Sequence, residues 1–404
     1  MSVNDMQVYQ ASTLLNAVVQ EATGQTTLAS TGPNDFVSVA TTLLKTGYDP
    51  VINAISQVWG RTIFSVRPYN AKFSGLEMTL DRWGNATRKL SIADKPAQDD
   101  DRFIWPTAYD PTQTANPTGD GVSVDMYPQC KPDILQTNFY GQFVYENCYT
   151  TYKDNFDVAF SGPEEFMRFN EMVSQNRLDK LEQWRETLRR GLLGNLIAAI
   201  YAENQTGRVV HLLTEYNTET GLQLTATTVM QPDNYVPFMR WARARVMTLA
   251  RLMTNRSELF QTIVNGKHIM RHTRPEDLKV YLSAAALDRM STVVDSITFN
   301  DDILRWADYE PVDFWQAIRS PDSIETIPVY TGTDGAIVQA AEAVTVDNIF
   351  GVLFDRDALG YAEVNAWAAP TPLNPRNGQI NIYDHVNARA LMDMTEKAVV
   401  LLLD

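Results

Sequence analysis

Cysteine and histidine are scarce in this chain, with two of the first and four of the second among 404 residues. Cys130 and Cys148 could pair, but two cysteines make no disulfide framework. So few thiols and imidazoles leave nucleophilic catalysis little to draw on. Long apolar runs are missing as well: no stretch approaches the ~20 residues of a membrane span. The opening Met1-Ser2-Val3-Asn4-Asp5 has neither the basic start nor the apolar run of a signal peptide. The chain reads as soluble and made in a reducing compartment. Positive charge is also in short supply. A net charge of −15 argues against a protein that grips nucleic acid by its backbone, which needs a basic stripe. Solubility alone accounts for the acidity; an acidic wall would also adhere poorly to packed nucleic acid.

Signature motifs are absent in turn. Gly266-Lys267 is followed by His268 and lacks the upstream glycine of a phosphate-binding loop. No Gly-x-Gly-x-x-Gly follows a strand, and no Gly-x-Ser-x-Gly elbow occurs. His268 and His272, four apart with Glu276 four further on, form the best metal candidate. Pro275 breaks that register and no glutamate flanks the first histidine, so an ordinary polar surface is the preferred reading. His211 and His385 have no partner nearby in sequence. The carboxylate pairs Asp301/Asp302 and Asp355/Asp357 suit turns and caps as well as acid–base work. The sequence therefore predicts no catalytic residue, no cofactor and no metal.

What is present is helical length. From Pro163 to Gly207 apolar residues recur at helical spacing: Phe166, Phe169, Val173, Leu181, Trp184, Leu188, Leu192, Leu196 and Ile200. Ser161 is placed to cap, Pro163 suits the first turn, and Glu164 and Glu165 suit the positive end of the dipole. Arg177, Lys180, Glu182, Arg185, Glu186 and Arg189 fill the opposite face. Unbroken, the span would reach roughly 60 Å, with a kink expected near Gly191 and Gly194 and a stop at Gly207. Such a helix is a strut about which the rest of the chain is arranged.

Before the strut lie three short helices (residues 6–23, 35–46 and 50–59) joined by polar links, too poor in apolar residues to form their own core. They read as an arm laid along something else. From Ile63 the period changes to two: Leu76, Met78 and Leu80 alternate with polar residues, and Leu90 and Ile92 do so again. Six prolines between Asp94 and Asp133 exclude a helix or central strand. Phe103, Ile104, Trp105, Tyr109, Val122, Val124, Met126 and Tyr127 are interleaved with them, which no flexible linker would carry. Strand character returns at 139–145. An excursion this long needs a purpose, and burial of its aromatics against another subunit supplies one. After the strut the pattern is mixed α/β: a helix over 233–252, strands at 278–282, 324–330 and 349–354, and a closing strand at 398–403. The run 349–354 is apolar on both faces and so central.

This order of parts resembles the major capsid proteins of tailed bacteriophages with the HK97 fold, small-tailed-phage type. The residues that carry the likeness are Thr46-Gly47-Tyr48 through Ile63-Phe64-Ser65-Val66-Arg67-Pro68-Tyr69, then Asn348 to Gly360, and the ending Thr395 to Leu403. The resemblance implies an α+β fold with an N-terminal arm (1–62), an extended E-loop (63–146), a P-domain with its spine helix (147–213), an A-domain (214–372) and a return to the P-domain (373–404). It implies self-assembly into an icosahedral shell of pentamers and hexamers that encloses double-stranded DNA without specific binding. A scaffolding protein and a portal protein are the implied partners, without a membrane, in the virion and, during assembly, the host cytoplasm. The E-loop of one subunit would cross the spine helix of its neighbour. That makes Phe103, Trp105, Tyr109, Val122, Val124, Met126 and Tyr127, with Arg177 and Arg185 of the strut, the candidate subunit-interface residues. Some capsids of this fold weld subunits by a lysine–asparagine bond; Lys72, Lys89 and Lys95 lie in the loop, but nothing beside them marks a reactive lysine. An encapsulin-like compartment and a monomeric acidic glycan-acting hydrolase are the competing readings.

Overall fold

The computed structural model describes residues 3–24, 30, 33–45, 50–51, 54, 72–78, 87–93, 133–139, 142–204, 207–288 and 309–404. Helices α1 (Val3–Thr23) and α2 (Pro33–Lys45) open the chain. Gly24 ends α1 at a φ of 68°, its N–H donating to the Gln20 carbonyl at 2.9 Å. Then β1 (Thr87–Ala93) pairs antiparallel with β2 (Asp133–Phe139) as a two-stranded ribbon. Next come β3 (Gln142–Tyr152), the short α3 (Lys153–Ala159) and α4 (Pro163–Glu203), the strut.

The strut runs 41 residues as one helix, unbroken at Gly191 and Gly194. Its ends differ from expectation. Gly162, in extended conformation, occupies the N-cap with no side-chain cap, because the Ser161 hydroxyl donates instead to the Val158 carbonyl at 2.6 Å and closes α3. Asn204, left-handed at φ 47°, ends the helix before Gly207 is reached; asparagine is among the few residues that adopt this region readily.

The rest comprises β4 (Val209–His211), α5 (Leu212–Thr220), α6 (Pro232–Thr254), β5 (Leu278–Ser283) and β6 (Glu310–Val312), then the short strands β7 (Ile324–Thr326), β8 (Val329–Thr331), β9 (Ile337–Gln339) and β10 (Val344–Val346). The chain finishes with β11 (Ile349–Asp355), β12 (Leu359–Pro370), β13 (Gln379–Met392) and β14 (Ala398–Leu402). Five strands form one sheet in the order β4-β14-β11-β5-β6. Ile349, Val352 and Phe354 of β11 pack against Leu193, Leu196, Ile197 and Ile200 of the strut. Phe350 and Leu353 point the other way, into the core made with α5 and α6. A register shift between Ile349 and Gly351 sets this division. Gly351 is required there, since a Cβ would lie 2.6 Å from Leu282 Cδ2 and 2.7 Å from the Tyr281 carbonyl. β11 is thus the central, two-sided strand that its apolar run predicts.

A second sheet, β12-β13-β3, covers the other half of the strut. Buried Ile380 and Ile382 of β13 join Phe166, Met167 and Val173 of the strut and the inner faces of α1 and α2 in one core. Helices α1 and α2 thus pack against the strut of their own subunit. A 3-10 turn, Ser74–Leu76, drives Phe73 and Leu76 into the main core. Of the strand expected from Leu76, Glu77 makes a parallel bridge to Tyr361, and residues 79–81 lie outside the described residues. Met78 then donates its N–H to the Tyr361 carbonyl at 2.8 Å. The strand expected at 139–145 splits in two, with β2 returning along β1 and β3 entering the second sheet.

Candidate assembly surfaces

Arginines spaced along the strut are held by different partners. Arg177 pairs with Asp384 of β13 at 2.6 Å. Arg185 reaches Glu363 of β12, with Nη2 to Oε2 at 2.6 Å, and also Glu182. Arg189 bonds Glu77 at the root of the excursion and lies 5.1 Å from the Tyr361 ring centre. Arg190 pairs with Glu186 at 2.6 Å and sits 3.6 Å over the Phe314 ring. Burial opposes ionisation of Glu363, but hydrogen bonds from Arg185 and Tyr361 outweigh it and hold its carboxyl below the ordinary range. At Asp384 burial wins over Arg177 and the carboxyl is raised; among the described residues its Oδ1 has no hydrogen-bond partner. These contacts lock strut, second sheet and loop root into one rigid frame.

The β1–β2 ribbon stands on this frame. Its inner face is polar and tied down: Lys89 Nζ donates to Asp393 Oδ2 at 2.7 Å and to Glu396. Arg271 bonds Ser91 Oγ at 2.9 Å and Glu396 Oε1 at 2.7 Å. Lys267 donates to the Ile134 carbonyl. Among the described residues only Leu135 enters a small apolar cluster, with Val264 and Ile269. Its outer face carries Leu90, Ile92 and Ile134, exposed by 60%, 57% and 55%, with Ile92 directly opposite Ile134. This inverts the usual alternation, in which the apolar side faces the body of the protein.

A further apolar exposure flanks the first half of the strut. Met172 is exposed along a groove of about 660 Å³ that also includes Arg168, Glu171, Gln175 and Asp179, and exposed Val158 lines a neighbouring hollow of about 330 Å³ that shares Arg168 and Met172. Further along, Leu193, Leu196, Ile197 and Ile200 are buried.

The profile of the Phi29-like phage major capsid protein family matches residues 15–402. This chain belongs to that family. No curated protein matches it at a significant level. Among solved structures it is similar to a chain in the capsid structure of Staphylococcus phage Andhra, with a TM-score of 0.53 and 9% identity over 85% of this chain and 87% of that one. A chain from the structure of the head fiber and inner core protein of native bacteriophage P68 scores 0.52, again at 9% identity and covering 85% and 87%. At that identity the likeness concerns the fold, which is HK97-like α+β. The protein is a shell-forming major capsid protein of a bacteriophage. Neither an encapsulin-like compartment nor a glycan-acting hydrolase finds support.

In this capsid protein Phe103, Trp105, Tyr109, Val122, Val124, Met126 and Tyr127 lie outside the described residues. Arg177 and Arg185 do not project as free cations but are spent on Asp384 and Glu363 of their own subunit. Of the loop lysines, Lys72 pairs with Asp313, Lys89 is held as above, and Lys95 is outside the described residues. His268 and His272 are not on a helix; His268 Nδ1 lies 2.8 Å from Glu258. Among the described residues no group of three His, Cys, Asp or Glu could hold a metal, and no helix is long and apolar enough to cross a membrane. The sequence reading missed the outward face of the ribbon, although the alternation of Leu90 and Ile92 was visible. Alternation reveals two faces without saying which one the body covers.

Proposed function

We propose that this capsid protein assembles by covering the β1–β2 ribbon and the loop it carries with a neighbouring copy, and that it does so without any chemistry of its own. The observation that carries this reading is the outward cluster Leu90, Ile92 and Ile134 on a ribbon whose inner face is already bonded. Apolar surface left in water by a lone subunit is surface to be buried in a complex, at roughly 25 cal/mol per Å². Residues 63–146 act as the E-loop, with Phe103, Trp105, Tyr109, Val122, Val124, Met126 and Tyr127 meeting the neighbour's strut along its exposed first half. Arg177 and Arg185 stiffen that strut from within. Residues 1–62 serve as the arm, 147–213 with 373–404 as the P-domain, and 214–372 as the A-domain that meets its copies in pentamers and hexamers.

Each contact is weak, and the closed lattice supplies strength through copy number. The acidic shell encloses double-stranded DNA without gripping it. A scaffolding protein guides assembly in the host cytoplasm, and a portal protein occupies one vertex of the virion. The test is the double substitution Leu90→Ser/Ile92→Ser. The subunit should remain folded by circular dichroism yet form no closed shells by electron microscopy. Normal shells from this variant would contradict the reading.

A further inference from the structure

The inner face of the ribbon is as unusual as its outer one. Four charged side chains converge under it: Lys89 from β1, Arg271 from the segment after α6, and Asp393 and Glu396 from the turn between β13 and β14. Asp393 Oδ2 accepts from Lys89 at 2.7 Å, while its Oδ1 accepts from Thr395 N at 2.9 Å and Thr395 Oγ1 at 2.6 Å. Glu396 accepts from both cations. Arg271 completes the cluster with Ser91 Oγ at 2.9 Å and the Thr395 carbonyl at 3.1 Å. Asp393 and Glu396 are buried and Lys89 is three-quarters covered. Two acids thus face two bases. Three of the four belong to the body of the subunit, and only Lys89 comes from the ribbon.

That asymmetry matters. A buried ion cluster contributes little net stability when complete but costs much when one partner is withdrawn. Apart from it, among the described residues the ribbon is fastened by the single apolar side chain Leu135 and a few polar bonds, and a two-stranded ribbon is marginal alone. The orientation of β1 and β2 is therefore set by charge geometry, which is directional, rather than by apolar packing, which is not.

We propose that Lys89, Arg271, Asp393 and Glu396 form a latch that fixes the pose of the β1–β2 ribbon in the free subunit, so that Leu90, Ile92 and Ile134 are presented outward before a neighbour arrives. This rests on the reading that the ribbon is an assembly surface, and adds that the surface is pre-oriented rather than ordered on contact. Pre-orientation removes an entropic cost from every association step.

The test compares full-length free subunits with Lys89→Met, which keeps the stem and removes the cation, and with Lys89→Arg, which restores it. Hydrogen exchange is read at the amides of 87–93 and 133–139, and assembly rate by light scattering. In Lys89→Met the ribbon amides should exchange about tenfold faster or more, while those of β11 and β14 stay unchanged. Assembly should slow in parallel, and Lys89→Arg should recover both. Ribbon exchange equal to that of the unaltered protein would overturn the latch, as would fast exchange with undiminished assembly. If Lys89→Met does not fold, Ser91→Ala, which removes only the Arg271 bond, should shift exchange in the same direction by less; no shift would overturn the proposal. Failure here leaves the assembly surface standing, because Leu90→Ser/Ile92→Ser leaves the latch intact and reads that surface alone.

Discussion

β11 and the β1–β2 ribbon are both rich in aliphatic residues, and the protein treats them in opposite ways. All seven residues of β11 are buried, covered on one side by the second half of the strut and on the other by α5 and α6. Among the described residues the ribbon has one covering layer, and that layer is mainly polar. Three of its aliphatic side chains, Leu90, Ile92 and Ile134, face away from the subunit, and Leu135 alone turns inward among the described residues. One region is finished by the chain itself; the other waits for a copy. Aliphatic content is therefore a poor guide to where a core lies, and the number of layers above and below a strand is a better one.

The contrast breaks hardest at Leu353. Fully buried in β11, it should cost the subunit about 2–5 kcal/mol on Leu353→Ala, read as a lowered urea midpoint, and no assembled shell should rescue it. A smaller loss is expected at the strut. Arg177→Met leaves Asp384 buried without its cation, a loss of about 1–3 kcal/mol, and adding Asp384→Asn should recover most of it. Equal stability of the single and double variants would show that the pair is not coupled.

Lys397 gives a subtler reading of how dry the finished core is. It is fully buried, with Nζ on the Asn255 carbonyl at 2.7 Å and Ser257 Oγ at 2.9 Å. Burial pulls its pKa down to about 8, Asp355 offsetting part of the shift. The unfolded chain keeps its proton to about pH 10.4. Between these values the unfolded state binds more protons, so stability should rise as pH goes from about 8 to about 10. Below pH 8 the cost of the buried charge is present in full. The same titration on Lys397→Met should lack this rise; an identical slope in both proteins would contradict the assignment. The smallest effect on the subunit, within about 0.5 kcal/mol, is expected from Leu90→Ser/Ile92→Ser, the very change that should abolish shells.

Much of the architecture was legible in the sequence. The strut was read from its helical period, and the centrality of β11 from an apolar run with no polar face. The long hairpin β12–β13 was not. Its alternation of Ile380, Ile382, Val386 and Ala388 is interrupted by Asp384 at an inward position, and Pro370, Pro372 and Pro375 are residues that ordinarily interrupt a strand pattern. Those prolines only end β12 and shape the turn, which Gly378 closes at φ 65° with its N–H on the Asn374 carbonyl at 2.8 Å. Asp384 is tolerated inside because Arg177 meets it, a pairing across some two hundred residues that no local pattern reveals. The latch is illegible for the same reason: Lys89 and Asp393 meet only once the chain has folded. Arg177 and Arg185 looked like a solvated face because their partners lie far along the chain.

The most direct test of the whole account is hydroxyl-radical footprinting of Leu90, Ile92 and Ile134 in free subunits and in assembled shells. Modification in the free subunit and protection in the shell, with Leu353 protected in both, is the predicted result. Equal modification of the three ribbon residues in both states would contradict it.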